Sequence, residues 1–159
     1  MDQTVLIADD DPALVEHLGW RCRRLGLRVL TAHDALSTLT TVRDAHPDMV
    51  CLDVNMPGGN GLSVCEMLAS EPAWTSIPVI ILTGREDEQT VIRCHQLCAY
   101  YIPKCPNVWA RVEPLLCELL GLPAAGDGLR DECEADGPLG AVLRQTEARL
   151  LFDLSRAVG

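Results

Sequence analysis

Short apolar runs of strand length alternate five times with longer stretches of helical spacing, and this alternation constrains the fold more than any other feature. The apolar runs lie at 5–8, 27–30, 49–53, 78–83 and 100–102. Runs that are apolar at successive positions are typical of strands buried on both faces. A repeated order of strand then helix predicts an α/β fold, in which a parallel five-stranded sheet is covered on both faces by helices.

Five helices are predicted between and after these strands, over about 12–25, 34–45, 62–70, 86–97 and 108–120. Pro12 suits the first turn of the first helix, because a backbone N–H there would have no helical partner. Asp11, directly before it, is the best candidate for the N-cap. Pro114 lies inside the fifth helical pattern, where it removes a backbone hydrogen bond, so we expect a kink.

The composition changes after residue 120. Residues 121–138 are rich in Gly, Pro, Ala and acids, which is typical of a linker, and residues 139–158 resume helical spacing. The length of 159 residues is compatible with about one domain. We therefore predict one α/β domain over 1–120, a linker over 121–138 and an extra amphipathic helix over 139–158.

The chain is acidic, with 23 Asp and Glu against 13 Lys and Arg and a formal net charge of −10. This balance repels phosphate backbones and argues against nucleic acid as a partner. No apolar stretch approaches the roughly 18 residues that a membrane span needs. No charged and then apolar leader precedes the first strand, so we expect a cytoplasmic protein that does not enter the membrane.

The chain contains eight cysteines, a density below that of disulfide scaffolds. Cys94, His95 and Cys98 could suggest a zinc site, but two Cys-x-x-Cys pairs are absent, and buried reduced thiols are the preferred interpretation. The histidines form no recognisable cluster and are interpreted as ordinary surface or partly buried residues; they are His17, His33, His46 and His95.

Polar side chains stand where four of the predicted strands end. Asp9 and Asp10 follow the first strand, Asp53 ends the third, Thr83 ends the fourth, and the chain's single lysine, Lys104, follows the fifth. One acid at a strand end would mean little, because turns and helix caps favour aspartate. In an open parallel sheet, however, ligands gather outside the carboxyl ends of the strands, so we expect these groups to meet there.

Carboxylates gathered in this way repel each other by roughly 4 kcal/mol per pair at about 4 Å and an effective dielectric constant near 20, so a cation is expected among them. Mg²⁺ fits because it takes oxygen ligands and is usually held by one or two carboxylates and a substrate phosphate. Lys104 could reach a phosphate oxygen as a compact charge. Carboxylate nucleophile, metal, ammonium and hydroxyl together favour phosphoryl transfer.

At this point the sequence resembles the response-regulator receiver domain of two-component signalling. The matching pieces are VLIADDD at 5–11, LDVNMPGGNGL at 52–62, VIILTG at 79–84 and YIPK at 101–104, and the resemblance covers about residues 1–120. Its most specific element is the pattern Asp-x-x-Met-Pro-x-x-x-Gly, from Asp53 to Gly61. The resemblance implies a flavodoxin-like, doubly wound parallel sheet of strand order 2-1-3-4-5.

The resemblance also implies roles for the residues at the strand ends. Asp53 would be the phosphoacceptor, taking a phosphoryl group from a histidine kinase or phosphotransfer protein. The magnesium ligands implied are Asp9, Asp10, Asp53 and the backbone carbonyl of Asn55. Thr83 and Lys104 would bind phosphoryl oxygens, and Tyr101 would be an aromatic switch that turns inward when Thr83 moves. The protein would be a signalling module rather than an enzyme.

The sequence departs from the family pattern in three places. The lysine is usually followed by a proline with a cis peptide bond, whereas Cys105 comes before Pro106 here. A cis bond before cysteine would cost roughly 3 kcal/mol, so we expect this loop to differ or to store strain. The usual Gly-Ala before the fifth strand reads Leu97-Cys98, and Pro114 is the third departure.

A haloacid-dehalogenase-like phosphatase is the competing interpretation, and it would make the chain an enzyme. Asp9-x-Asp after an apolar strand, Thr83, Lys104 and GDGLRD at 126–131 imitate the four motifs of that family, with Asp9 as the nucleophile. The last motif should follow an apolar strand, which the preceding GLPAA cannot supply. This alternative also leaves the pattern around Asp53 unexplained.

The C-terminal part of the chain suggests how a signal would leave the domain. Residues 121–159 contain four arginines and seven acids, a net charge of −3, which is unlike a DNA-binding effector. We therefore expect output through an unidentified protein partner or through a homodimer formed by the 139–158 helix. A helix folded back on its own domain is the third possibility.

Overall fold

The computed structural model describes residues 3–84 and 88–123, which form five strands of one sheet and five helices in strict alternation. The strands are β1 Thr4–Ala8, β2 Arg28–Ala32, β3 Met49–Asp53, β4 Val79–Thr83 and β5 Tyr100–Pro103. The helices are α1 Pro12–Arg24, α2 Ala35–Ala45, α3 Gly61–Ser70, α4 Glu88–Gln96 and α5 Trp109–Leu120. The predicted linker beyond residue 123 and the predicted helix over 139–158 lie outside the described residues.

The main sheet is parallel throughout, in the order β2-β1-β3-β4-β5. Val5 of β1 pairs with Met49 of β3, and Val50 of β3 pairs with Val79 of β4. The predicted fold and strand order are thereby confirmed. The chain passes from β1 outward to β2 and then returns to β3 on the other side of β1. The carboxyl ends of the neighbouring strands β1 and β3 therefore open onto one crevice.

Two apolar layers cover the sheet because successive strand residues point to opposite faces. Val5 and Ile7 pack with α1 and α5, whereas Leu6 and Ala8 pack with α2, α3 and α4. All five residues of β1, β3 and β4 are buried, as their uninterrupted apolar runs predict. None of the described helices combines the length and the hydropathy needed to cross a bilayer.

Helix α1 begins as predicted, since the side chain of Asp11 accepts hydrogen bonds from the backbone N–H groups of Ala13 and Leu14. Helix α5 runs through Pro114 to Leu120, so this proline lies within the helix, and the kink expected there stays a prediction. No peptide bond among the described residues is cis, and this includes the bond between Lys104 and Cys105.

Strand β2 and the turn after β3 differ from the sequence prediction. Strand β2 spans Arg28–Ala32 rather than 27–30, because Leu27 still belongs to the turn that closes α1, where its N–H donates to the carbonyl oxygen of Cys22. The turn-rich PGGNG stretch contains a short antiparallel pair, in which Asn55 lies opposite Asn60 and Met56 opposite Gly59. This pair brings the chain from the end of β3 directly into α3.

Candidate functional site

Asp9 lies directly beyond the end of β1 and is almost fully buried, with 2% of its surface exposed. Its backbone N–H donates to the carbonyl oxygen of Ala32 at 3.1 Å, which ties it to the end of β2. Oδ1 of Asp9 accepts a hydrogen bond from the N–H of Asp11 at 2.9 Å. The backbone of Asp9 and one oxygen of its carboxylate are thus both held by hydrogen bonds.

Asp53 is the last residue of β3 and is also buried. One carboxylate oxygen from each of Asp9, Asp10 and Asp53 lies within 4.8 Å of the others. Asp10, unlike its two neighbours, is exposed. The structure therefore brings together three carboxylates that the chain supplies from two separate strand ends.

Lys104 lies beyond β5 and reaches across to these carboxylates. Its Nζ atom lies 2.7 Å from Oδ2 of Asp9 and 3.0 Å from Oδ2 of Asp53. The backbone N–H of Lys104 donates to the carbonyl oxygen of Thr83 at 2.9 Å, which joins the ends of β4 and β5. One ammonium thus contacts two of the three carboxylates, and the four groups together carry a formal charge of −2 when all are ionised.

Burial raises the pKa of Asp9, although the contacts with Lys104 and the N–H of Asp11 act in the opposite direction. For Lys104, burial alone would lower the pKa, but the two carboxylates outweigh it and raise the pKa above its ordinary value. The ammonium form of Lys104 is therefore held by its neighbours, whereas the carboxylate form of Asp9 is disfavoured by loss of water.

The residues present fit a hard divalent cation. Oδ1 of Asp53 is buried and has no hydrogen-bond partner among the described residues. An unpartnered buried oxygen is costly unless a ligand or ion satisfies it. Three carboxylates with an uncompensated negative charge are ligands that Mg²⁺ prefers. Within residues 3–84 and 88–123, this is the one group of three or more metal-ligating side chains close enough to hold an ion; Cys94, His95 and Cys98 do not form another.

The remaining predicted site residues surround this group. Thr83 is fully buried at the end of β4. Asn55 is exposed in the short antiparallel pair that follows Asp53. Tyr101 is 8% exposed and packs in the layer that contains α2, α3 and α4. It pairs with Ile81, two residues before Thr83 along β4.

Gly61 is required by the backbone that holds Asp53. Its N–H donates to the carbonyl oxygen of Val54 at 2.8 Å, and α3 begins at this residue. A Cβ atom on Gly61 would lie 1.9 Å from the backbone oxygen of Asp53, far inside van der Waals contact. Any other residue here would therefore push α3 away from the end of β3.

The sequence predicts His33 to be an ordinary surface or partly buried residue, and the structure places it at the surface beside Asp9. Its Nδ1 atom lies 3.0 Å from the backbone oxygen of Asp9. Since a carbonyl oxygen only accepts, the Nδ1 atom donates in this contact when it carries the proton. The backbone of Asp9 is thus held through its N–H by Ala32 of β2 and through its carbonyl group by His33, the residue after β2. The sequence gives no signal for this contact, since the predicted second strand ends at residue 30 and only the structure extends it to Ala32.

Comparisons with known proteins agree on one family. The family described as "Response regulator receiver domain" matches residues 5–107. The DNA-binding response regulator MtrA of Mycolicibacterium smegmatis is 37% identical over 92 residues, which are 58% of this chain and 39% of that protein. The chain therefore spans about two fifths of the length of this curated relative.

Solved structures show the same fold. The non-phosphorylated HemR receiver domain from Leptospira biflexa superposes with a TM-score of 0.68 at 27% identity, covering 79% of this chain and 100% of that one. The Mn²⁺-bound form of response regulator Rcp1 has a TM-score of 0.65 at 22% identity, covering 77% of this chain and 99% of that one. At this identity the second likeness concerns the fold alone.

Proposed function

Because this chain belongs to the response regulator receiver domain family, we propose that it accepts a phosphoryl group on Asp53 from a histidine kinase or phosphotransfer protein. The observation that carries the proposal is the buried carboxylate of Asp53, which lies 3.0 Å from the Lys104 ammonium and has one oxygen without a partner among the described residues. A nucleophile needs an available oxygen lone pair, and Oδ1 of Asp53 has no hydrogen-bond partner among the described residues.

In the proposed transfer, a carboxylate oxygen of Asp53 forms a bond to phosphorus as the bond from phosphorus to the donor's leaving atom breaks. The electron pair of the broken bond stays with the leaving group, which takes a proton from solvent, and Asp53 becomes an acyl phosphate. The Lys104 ammonium stabilises negative charge on the phosphoryl oxygens. The Thr83 hydroxyl, at the end of the neighbouring strand, would donate to another of these oxygens.

Asp9, Asp10 and Asp53 would hold Mg²⁺, with the backbone carbonyl of Asn55 as a further ligand implied by the family. Bound Mg²⁺ supplies charge neutralisation between the carboxylates and the incoming phosphoryl group. The Mn²⁺-bound structure of Rcp1 supports a divalent cation in this fold. Lys104 and the Asp11 N–H would orient the Asp9 carboxylate and partly offset the effect of burial on its ionisation, while the backbone contact with β2 fixes its position.

Phosphorylation would be read out through Thr83 and Tyr101. A ligand shifts a conformational equilibrium only through its differential affinity for the two states. Movement of Thr83 towards a phosphoryl group would change the packing beside β5, where the buried Tyr101 lies in register with Ile81. We propose that this change is recognised by a protein partner or favours a homodimer.

The proposed output is protein contact in the cytoplasm rather than DNA binding. MtrA is a DNA-binding response regulator, so this part of the proposal departs from that relative. The acidic balance of the chain and the net charge of −3 over residues 121–159 support a protein partner. The cognate kinase and the partner are to be identified by experiment.

Mass spectrometry after incubation with acetyl phosphate and Mg²⁺ tests the proposal directly. The intact protein is expected to gain one phosphoryl group, and peptide mapping is expected to place it on Asp53. The Asp53→Asn variant should gain none, because its amide is not a nucleophile. Modification of Asp9 would instead support the haloacid-dehalogenase-like alternative, and no modification of either residue would contradict both.

A further inference from the structure

The last turns of α1 carry an exposed aromatic side chain with arginines held against it. Trp20 is 51% exposed. The guanidinium carbons of Arg21 and Arg24 lie 5.6 and 4.9 Å from the centre of its ring. Arg21 also lies 6.0 Å from the ring centre of Trp109, a buried residue at the start of α5. We call Trp20, Arg21 and Arg24 the tryptophan–arginine patch.

The positive charge of this patch has no carboxylate partner within the part of the chain that the structure describes. The ion pairs found there involve Arg43, Arg93 and Lys104 instead. Nε of Arg21 is buried and has no hydrogen-bond partner in that part either. Guanidinium groups pair strongly with carboxylates when two of their N–H groups can donate side by side to the two carboxylate oxygens. The patch is therefore suited to an acidic peptide segment.

The chain itself contains such a segment. Residues 127–136 contain five acids and one arginine, a net charge of −4. These residues lie outside the described part of the chain, which ends at Pro123. The acidic segment therefore begins four residues after the last described position.

The end of α5 lies near the amino ends of the strands, as does the end of α1. The side chain of Gln3 donates to the carbonyl oxygen of Leu120 at 2.8 Å, and its backbone oxygen accepts from the N–H of Arg28 at 2.9 Å. Arg28 follows the last residue of α1, Arg24, by one tight turn. From Pro123, nine residues can span up to about 30 Å, so the acidic segment can reach the patch.

We propose that the acidic segment 127–136 docks on the tryptophan–arginine patch of the same chain. Individual surface ion pairs are weak, so docking depends on several pairs forming together and on the short tether, which gives an effective concentration in the millimolar range. Contact with Trp20 also removes apolar surface from water. This docking is independent of Asp53 phosphorylation, and it extends the described fold with an intramolecular contact on the α1 and α5 side.

Paramagnetic relaxation in the full chain provides the test. Cys133 lies in the middle of the acidic segment and can carry a nitroxide in a Cys98→Ser and Cys105→Ser background, since the other described cysteines are buried. The indole N–H signals of the three tryptophans are then measured by NMR. We expect the Trp20 signal to lose at least about half its height, given the local concentration that the tether imposes. The Trp74 signal, in the opposite layer, is expected to keep its height.

Arg24→Glu and Arg43→Glu form a matched pair of charge reversals. Arg24→Glu is expected to restore the Trp20 signal, as is about 1 M salt, where the Debye length falls to about 3 Å. Arg43→Glu, on α2, should leave the broadening unchanged. Equal heights for Trp20 and Trp74, or broadening that survives Arg24→Glu, would overturn the proposal. So would broadening in a mixture of isotope-labelled and separately spin-labelled chains, because that result assigns the contact to a second copy.

Discussion

The ammonium nitrogen of Lys104 lies 3.0 Å from Oδ2 of Asp53, although the two residues are 51 positions apart in the chain. We predict that Lys104→Met lowers the rate of phosphorylation by acetyl phosphate on the order of 10²-fold, because a preorganised charge on the transferring group is lost. Mg²⁺ should still bind, since all three carboxylates remain. Rates from intact-mass time courses, with Mg²⁺ affinity from calorimetry, separate the two effects. An undiminished rate in Lys104→Met would show that the ammonium has no part in the transfer.

Gly61→Ala is expected to damage both stability and phosphorylation. The added methyl group would lie 1.9 Å from the backbone oxygen of Asp53, so α3 or the end of β3 must move. Overpacking of this kind costs about 1–3 kcal/mol or more in the free energy of unfolding. Urea denaturation measures that cost, and acetyl phosphate labelling measures the loss at Asp53.

Gly19→Ala is the matched control for this substitution. Its Cβ would meet a flexible arginine tip at 3.4 Å within α1, so it should leave stability unchanged or raise it by up to about 1 kcal/mol. If Gly61→Ala behaved like Gly19→Ala, the close approach of α3 to Asp53 would not constrain the site.

His33 is predicted to position Asp9 for the metal. His33→Phe keeps a ring of similar size but removes the donor to the backbone oxygen of Asp9, and loss of about 1 kcal/mol corresponds to roughly fivefold weaker Mg²⁺ binding. His33→Asn carries an amide N–H in a comparable position and should retain most of the affinity. Calorimetric titration compares the three proteins. Equal Mg²⁺ affinity in His33→Phe and the unmodified protein would exclude a positioning role.

Mg²⁺ affinity is expected to fall at mildly acidic pH. Burial raises the pKa of Asp9, and a metal ligand must be ionised, so affinity is full above this raised pKa and is lost as the pH falls through it. The loss should begin above the range near pH 4 in which an ordinary aspartate titrates. Lys104 stays protonated throughout, because its pKa is raised. Mg²⁺ titrations at several pH values should show this dependence. The Asp9→Asn variant should bind Mg²⁺ more weakly and should lack the loss of affinity that begins above about pH 4. Constant affinity down to about pH 4 would contradict the burial effect.

The strands were predictable because burial on both faces leaves a direct record in the sequence. The runs at 49–53 and 78–83 correspond closely to β3 and β4. Strand β2 was less well placed, since it lies at the sheet edge and only Ala32 is buried. The neighbourhood of Asp9 and Asp53 was also predictable, because topology alone brings the carboxyl ends of adjacent parallel strands together.

Contacts that depend on the rotation of a side chain, and strand pairs of only two residues, could not be predicted from the sequence. His33 contacts the backbone oxygen of Asp9 through its side chain, and the direction that a side chain takes leaves no pattern in the sequence. The pair of Asn55 with Asn60 has two residues on each strand, too few for a periodic signal. The loop that connects the two strands of this pair is held by a contact distant in sequence, since the N–H of Ala35 donates to the carbonyl oxygen of Pro57 at 3.3 Å.

The space left by the missing side chain of Gly61 also bears on protein engineering. Transplanting the three carboxylates and the lysine onto another scaffold would reproduce the charges but not the backbone path that presses the start of a helix against the carbonyl group of Asp53. A designer who wants this site in a new host must therefore copy the backbone from 53 to 61 as a unit, and choose a host with room for it.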